Sequence, residues 1–585
     1  MNTWDLTKLY SGFEDNTFLA DNKKLDDLIE IYANKDKDFT NYDNKLNRLV
    51  GYLNAQMELM DVFGKLMAYA SLVASCESTN MVAIKSMNSV QMKSTKLAKV
   101  ETLFSQWLLN YPNIDEDIKN NEFLKEHEFV IKEIIEHASH LLDDKTESLL
   151  AKLRQNGSGS WSRLQSLLTS TLAVDYDGKN ITLSEIRNLA SSDNAKVRKA
   201  AYEAELAAYK QIEKSIAFSL NSIKGEVNTI SKERGYDSPL AQALSNSRMR
   251  KETLDAMQEA CLEYMPMFRS YLKRKAKLLG HKSGLPFYDL FAPIGNTNTT
   301  FTIPEANEYI MKNFKTFSDE LYLMAKKAFE NNWIDYIPKK GKVGGAFCAN
   351  LNPIKESRIL SNFTGAFGDM ITLSHELGHA FHGEQVFKVS PLNSEYTMPV
   401  AETASTFCET IVNKAALKDA KSDDERIFLL ESSIQDYTQV VVDIMSRFLF
   451  EKAVFDGRLE TVFDENELKD LMLKAQKETY GDGLDPNYLH PYMWVCKSHY
   501  YSGRLSYYNF PYTFGLLFAK GLYAKYLEDK NGFVQLYNKL LSSTGQMMVE
   551  DAAMIAGIDV TKKAFWVSSL ELLKEDIELF LKLTE

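Results

Sequence analysis

Apolar residues recur at intervals of three and four along most of the chain, the spacing that places them on one face of an α-helix. The first 142 residues show this pattern almost throughout, in segments separated by short polar breaks. They are predicted to form long helices packed as hairpins, covering residues 25–32, 46–71, 81–109 and 123–140. The same periodicity returns over residues 196–280 and 303–331. The pattern therefore predicts a mainly α fold.

Two short regions depart from the helical pattern. Residues 172–183 alternate apolar and polar positions around Asp177-Gly178, which predicts a β-hairpin closed by a tight turn. Residues 342–348 and 357–363 are strand-like, with two adjacent glycines in the first of them. We expect a small β-sheet there. Its exposed edge would either take an extended peptide as an added strand or simply support the helix that follows.

Domain organisation is indicated by the breaks in this pattern. Residues 155–161 have the most flexible composition of the chain, rich in glycine and serine, and predict a linker or a functional loop. A polar stretch at 192–194 offers an N-cap for a helix that reaches Tyr209. Placing the boundary here predicts an N-terminal helical domain over 1–195 and a catalytic domain over 196–585. Because 585 residues exceed one compact core, at least two lobes are expected.

Composition narrows the class of protein. A net charge of −12 argues against a nucleic-acid binder, because such proteins need a basic surface to replace condensed counterions. No apolar run approaches the ~20 residues of a membrane span, and the first residues carry neither a basic nor an apolar signal region. The five cysteines are widely spaced, which predicts reduced thiols rather than a disulfide framework. We expect a cytoplasmic protein that binds neither nucleic acid nor a membrane.

A short motif points to metal chemistry. The segment from His375 to His379 reads His-Glu-Leu-Gly-His. On a helix, the spacing of four residues puts both imidazoles on one face, where they can share one metal ion. Glu376 follows the first histidine, so its carboxylate can reach a water on that metal and take its proton. Gly378, between the two histidines, leaves room for close approach at a cost in helix propensity of about 1 kcal/mol, which suggests that the space above it is used. The motif predicts a zinc hydrolase.

A catalytic zinc site needs a third protein ligand. The best candidate is Glu402, which lies in an apolar segment predicted to be helical. Glu384 and Glu395 lie in the intervening connection and compete with it on spacing alone. Metal-binding histidines also donate their second ring nitrogen to an acceptor, and Glu409 or Asp369 is predicted to be that acceptor.

Residues 499–512 concentrate phenol side chains around one imidazole, that of His499. Phenols and imidazoles are donors that can meet the negative oxygen of a tetrahedral intermediate. Clusters of aromatic residues more often belong to the hydrophobic core than to a functional site. Here Gly503 and Pro511 favour a loop, where such polar groups are hard to bury without a purpose.

Several of these segments resemble oligoendopeptidase F, a branch of the thimet-oligopeptidase-like zinc metallopeptidases. The segments that carry the resemblance are residues 4–6, 160–164, 287–290, 375–379, 400–407 and 508–515. They span nearly the whole chain. The resemblance implies a clam-like, mainly α molecule whose two lobes flank a deep channel with zinc at its floor. It also implies an endopeptidase that cuts short unstructured oligopeptides, because the channel excludes folded proteins.

The same resemblance assigns residues one by one. It implies one zinc ion per chain with three ligands, namely His375, His379 and Glu402. It implies Glu376 as the general base. The positions that bind substrate or stabilise the oxyanion fall on His499, Tyr508 and Tyr512.

The predicted reaction is hydrolysis by a zinc-activated water, with Glu376 first as base and then as proton donor to the leaving amine. Two other classes of function stay open. A metallo-exopeptidase would need a positive group for a peptide terminus, which Arg358 or Arg504 could supply. A peptide-binding helical scaffold with a vestigial site would be expected to have a broken ligand set, whereas the set here is intact.

Overall fold

The computed structural model describes residues 2–295 and 299–585, and helices dominate this part of the chain. The helices of the N-terminal third are α1 Asn16–Ala33, α2 Lys45–Cys76, α3 Met81–Ser94, α4 Ala98–Leu109, α5 Ile114–Asn120, α6 Glu122–Glu126, α7 Glu128–Ser139, α8 Asp144–Asn156 and α9 Ser158–Thr171. The middle of the chain contains β1 Ala173–Tyr176, β2 Lys179–Thr182, α10 Leu183–Asn188, α11 Ala195–Tyr209, α12 Glu213–Glu233, α13 Pro239–Asn246, α14 Lys251–Leu278, α15 Ile303–Phe317 and α16 Asp319–Glu330. The remainder contains β3 Ile334–Asp335, β4 Phe347–Leu351, β5 Glu356–Leu360, α17 Phe367–Val386, α18 Met398–Ala401, α19 Thr403–Asp419, α20 Asp423–Thr438, α21 Ile444–Gly457, α22 Glu465–Thr479, α23 Phe510–Glu528, α24 Lys530–Ser543, α25 Val549–Ile555 and α26 Lys563–Leu583. The mainly α fold predicted from the sequence is confirmed.

Buried apolar side chains form two separate cores. One is built by the helices α1 to α7 and also takes in Leu351 and Leu392 from the second half of the chain. The other runs from Leu172 to Phe580 and contains α17. Two cores agree with the two lobes expected for a chain of this length. The division into domains at residue 195 stays a prediction.

The first predicted hairpin is present, and the predicted linker before it is not. β1 and β2 pair antiparallel from Ala173 opposite Thr182, and Asp177 and Gly178 turn the chain with φ angles of 52° and 72°. Such positive φ values at both central residues fit a tight hairpin turn. At 155–161, by contrast, α8 and α9 are separated by Gly157 alone. The glycine–serine composition there reflects a sharp corner between helices rather than a flexible linker.

The second sheet lies directly before the motif helix, where the sequence predicts it. Its strand order is β3-β5-β4, with β3 parallel and β4 antiparallel to β5. β4 begins at Phe347, later than predicted, because the chain turns at Gly345 with a φ of 77°. α17 packs against both β4 and β5. In the described part of the chain, β4 is an edge strand with β5 as its one strand neighbour.

One of the described helices qualifies as a membrane span by length and composition. It is α2, with 32 residues and a mean hydropathy of 1.3 in its most apolar window. The sequence prediction looked for an unbroken apolar run, whereas α2 reaches this average with polar residues interspersed among apolar ones. Its residues Leu49, Leu53 and Leu66 are buried in the N-terminal core, and core helices of this kind meet the same criterion.

α17 and α19 touch backbone to backbone at Gly378. A Cβ on Gly378 would lie 2.5 Å from the carbonyl oxygen of Ala404 and 2.5 Å from the Cα of Ser405. Real Cβ atoms do not approach other atoms so closely, so glycine alone permits this contact. The contact brings the start of α19 against the helix that carries the metal-binding motif.

Replacing Gly378 with alanine should force α17 and α19 apart. Helix propensity favours alanine by about 1 kcal/mol, but overpacking costs about 1–3 kcal/mol, and the obstacle here is backbone that cannot rotate away. We expect a net loss in the free energy of unfolding, measured by urea denaturation. Gly368→Ala is the matched control on the same helix, because its Cβ would meet no atom within 4 Å. Wild-type stability of Gly378→Ala would contradict the close contact.

Candidate metal centre

The three predicted metal ligands converge on one point. Nε2 of His375 lies 3.1 Å from Nε2 of His379. Oε2 of Glu402 lies 3.2 Å and 3.4 Å from those two nitrogens. Tetrahedral zinc with bonds of about 2.1 Å separates neighbouring ligand atoms by roughly 3.4 Å. The three donor atoms therefore fit a single metal ion, and two imidazoles with one carboxylate form a donor set typical of catalytic zinc.

A break in the helical chain places Glu402. The sequence predicts one continuous helix here, whereas the structure has α18 and α19 with Glu402 between them, at φ −86° and ψ 4°. The hydroxyl of Ser405 donates a 2.9 Å hydrogen bond to Oε2 of Glu402. On the other side, a Cβ on Gly515 of α23 would lie 2.8 Å from the Cβ of Glu402. Ser405 thus bonds the carboxylate, while α23 packs against the Cβ of the same side chain.

The carboxyl and imidazole groups of the centre shift one another's pKa. Burial opposes ionisation of Glu402, but its hydrogen bonds with His375 and His379 prevail and hold the pKa of the carboxyl well below its usual range. Burial also opposes protonation of His375, yet hydrogen bonds with Glu402 and Glu409 hold the pKa of its imidazole well above the ordinary value. The carboxylates therefore favour positive charge where the donor atoms meet. A divalent cation would supply that charge and leave the imidazoles neutral.

Glu409 orients the first histidine. Its Oε1 lies 2.7 Å from Nδ1 of His375, which leaves Nε2 for a metal. Asp369, the other predicted acceptor, instead receives hydrogen bonds from the backbone N–H groups of Gly365 and Ala366 at the start of α17. Its carboxylate caps that helix.

The rival third ligands lie elsewhere. Glu384 pairs with Lys327 at 3.5 Å, and Glu395 is exposed to solvent. Among the residues that the structure describes, the group able to hold a metal ion consists of His375, His379 and Glu402.

Glu376 is buried next to the ligands, with 6% of its surface exposed. Burial raises the pKa of its carboxyl above the ordinary value, although the charges of His375 and His379 oppose the shift. Within residues 2–295 and 299–585, no hydrogen bond engages its carboxylate, so the group is available to a water molecule. A carboxyl whose pKa is raised can accept a proton and return it.

Tyr508 and Tyr512 form a pair at the start of α23, with hydroxyl oxygens 2.5 Å apart. One hydrogen bond joins them, so one of the two hydroxyl hydrogens remains free to donate. Burial, the bond to Tyr508 and the nearby charge of Glu402 raise the pKa of Tyr512. The phenol therefore keeps its proton at neutral pH and lies close to the metal ligands.

His499 is the neighbour of this pair. Its ring centroid lies 5.6 Å from that of Tyr508, and its Nε2 lies 2.7 Å from Nδ2 of Asn509. Asn509 in turn contacts Arg447 of α21. Sequence reasoning missed both residues: Asn509 lies inside the segment 508–515 that carries the family resemblance, but no local pattern connects Arg447 with it.

A cavity of about 580 Å³ adjoins the phenol pair. One wall comes from α12 and α13, and another from residues 396–398, 503–508 and 510–511, which include Tyr508. Arg504 also lines it, whereas Arg358 does not. Arg358 is buried at 1% exposure and bonded to Glu356 and to the backbone oxygen of Asp5, so it is not available to hold a peptide terminus.

Known proteins resemble this chain along its whole length. Residues 188–572 match peptidase family M3, and residues 109–173 match the family described as oligopeptidase F. Oligopeptidase PepF of Bacillus subtilis is 26% identical over 582 residues, which cover 96% of this chain and 84% of that protein. An oligoendopeptidase F homolog of Lactococcus lactis is 24% identical over 597 residues, which cover 100% of this chain and 97% of that protein.

Solved structures share the fold. Oligoendopeptidase F from Enterococcus faecium superposes with a TM-score of 0.71 at 20% identity, covering 96% of this chain and 98% of that one. A chain from Chlamydophila abortus described as a peptidase superposes with a TM-score of 0.83 at 19% identity, covering 100% and 98%. The family match over residues 188–572 confirms the resemblance found in the sequence motifs. The chain belongs to peptidase family M3 and is a metalloendopeptidase that acts on oligopeptides.

Proposed function

We propose that this metallopeptidase holds one zinc ion per chain on His375, His379 and Glu402, with Glu376 as general base. The observation that carries the proposal is the convergence of three donor atoms within 3.4 Å of one another. Two imidazoles and one carboxylate suit zinc best among the common divalent ions. When bound, zinc supplies Lewis acidity and lowers the pKa of a coordinated water toward ~7.

Side chains of the protein transfer the protons of the reaction and orient the peptide. Glu376 accepts a proton from the attacking water and passes it to the leaving amine. The free hydroxyl hydrogen of the Tyr508–Tyr512 pair donates to the scissile carbonyl oxygen as negative charge develops there. His499, beside the pair, donates to the substrate as well. Because water is the nucleophile, no covalent bond forms between peptide and protein.

The substrate we propose is a short unstructured peptide in extended form. β4 is an edge strand packed on α17, and a peptide paired with it would lie beside the metal ligands. Pairing of this kind recognises backbone groups rather than particular side chains. We further propose that the protein acts in the cytoplasm, where its five unpaired cysteines would stay reduced.

Glu376→Gln should retain metal and lose turnover. Glutamine keeps the shape of the side chain but cannot accept and return a proton, so kcat should fall by at least about 10²-fold. The measurement is hydrolysis of an internally quenched peptide together with metal content per chain. Glu384→Gln, the same exchange on the same helix, should leave kcat unchanged. Substantial peptidase activity in Glu376→Gln would remove Glu376 from its assigned role.

Chelation should abolish cleavage of a peptide whose two ends are both blocked, and return of zinc should restore it. An endopeptidase needs no free terminus, whereas an exopeptidase requires one to bind. The measurement pairs elemental analysis with cleavage before chelation, after it and after zinc return. We expect one zinc per chain. Survival of the blocked peptide while a free-ended one is cut would favour the exopeptidase instead.

Tyr508→Phe and Tyr512→Phe should have unequal effects. Only one hydroxyl hydrogen of the pair is free, so removing the phenol that donates to the substrate should lower kcat by about 10²-fold or more. Removing its partner should cost less. Tyr507→Phe is the control, because Tyr507 packs against Phe455 with ring centroids 5.4 Å apart. Wild-type kcat in the double variant Tyr508→Phe/Tyr512→Phe would exclude the pair from catalysis.

A further inference from the structure

Three side chains from two separate segments form a chain of hydrogen bonds that ends on His499. Arg447 of α21 donates from its NH1 group to Oδ1 of Asn509, at 3.1 Å. Nδ2 of Asn509 lies 2.7 Å from Nε2 of His499. Arg447 is itself held by an ion pair with Asp443, one turn earlier. The guanidinium is therefore held by Asp443 through NH2 while NH1 bonds Asn509.

The chemistry of these groups assigns every hydrogen in the chain. A guanidinium carries donors and no acceptor, so the Asn509 atom that faces Arg447 must be the amide oxygen. The other end of the amide is then the NH₂ group, which faces Nε2 of His499. Since that group can only donate, Nε2 must accept and carries no proton. His499 is therefore neutral, with its single ring hydrogen on Nδ1.

The charges around His499 agree with a neutral ring. Burial, followed by the positive charges of Arg447, Lys497 and Lys224, lowers the pKa of His499 to about 3, and the opposing charge of Asp443 is outweighed. A protonated ring would also set an Nε2–H group against an N–H group of Asn509. Both effects disfavour the imidazolium at neutral pH.

We propose that Arg447 and Asn509 are positioning residues that fix His499 as the Nδ1–H tautomer, so that it can donate to a carbonyl oxygen of the peptide but cannot accept from a peptide N–H. The proposal deepens the function assigned above and rests on it for the role of His499 in substrate binding. In the described part of the chain, Nδ1 has no protein partner, so its hydrogen is available. The group recognised is the backbone carbonyl, which every peptide offers.

The tautomer can be read directly in the wild-type holoenzyme. Ring nitrogens of histidine have distinct ¹⁵N chemical shifts when protonated and unprotonated, and the His499 signals can be identified by their loss in His499→Gln. We expect a protonated Nδ1 and an unprotonated Nε2, unchanged between about pH 5 and 8, where free histidine titrates. A protonated Nε2, or titration of the ring in this range, would overturn the proposal; the variant serves only to identify the signals, and the tautomer is read in the wild-type protein.

Asn509→Asp tests the positioning role. A carboxylate accepts and cannot donate, so the single ring hydrogen should move from Nδ1 to Nε2. Nδ1 then has no hydrogen to donate to the peptide carbonyl, and kcat/KM should fall by about 10²-fold. The control is Asn54→Asp, which adds the same charge at an exposed position of α2 and should change neither spectrum nor activity. If Asn509 acts through His499, its substitution should lower kcat/KM less than about twofold further in a His499→Gln background.

The combined outcomes separate the role of His499 in binding substrate from the role of Asn509 in positioning His499. An equal loss from Asn509→Asp with and without His499 would show a merely structural role for Asn509 and overturn the positioning proposal. Wild-type kcat/KM in His499→Gln would overturn the proposed role of His499 in binding, while the spectrum would still decide the tautomer.

Discussion

Close backbone contact between α17 and α19 is the constraint on which the metal centre depends. Two imidazoles meet within α17 because four residues make about one helical turn, but the third donor lies on another segment. It reaches them only because a Cβ at Gly378 is absent where it would sit 2.5 Å from the carbonyl oxygen of Ala404. Gly515 permits a similar close contact, because a Cβ there would lie 2.8 Å from the Cβ of Glu402. The donor atoms are therefore positioned by backbone contacts, which leave less freedom than side-chain rotamers would.

Three carboxylates share this small region, and their neighbours give each a different state. Glu402 meets both imidazoles, Glu409 accepts from His375, and Glu376 has no hydrogen-bond partner among the described residues. Like charges buried together are unfavourable unless positive charge compensates them. Contact with the histidines keeps the pKa of Glu402 low, while burial raises that of Glu376. Two glutamates in the same small region therefore have carboxyl pKa values shifted in opposite directions.

Structural features that depend on residues close together in the sequence could be predicted. The helical periodicity, the hairpin at Asp177-Gly178 and the cap at Asn194, whose side chain accepts from the N–H of Lys196, all occur as expected. Where local composition allowed two structures, prediction was less accurate. The glycine–serine stretch at 155–161 forms a corner between two helices, since Ser158 donates to the distant carboxylate of Glu226 through both its N–H and its hydroxyl. The composition of residues 155–161 does not reveal a hydrogen-bond partner as far away in the sequence as Glu226.

The sequence by itself determined the fold class, the metal-binding motif and the family. Each of them depends on the spacing of residues a few positions apart or on short motifs that follow one another along the chain. Only the tertiary structure decided that Glu409 rather than Asp369 contacts His375, that Tyr508 pairs with Tyr512, and that Arg447 reaches His499 through Asn509. Backbone geometry within a helix follows from its own residues, so spacing predicts it. Hydrogen bonds between segments follow from how those segments pack, and packing depends on the whole core at once.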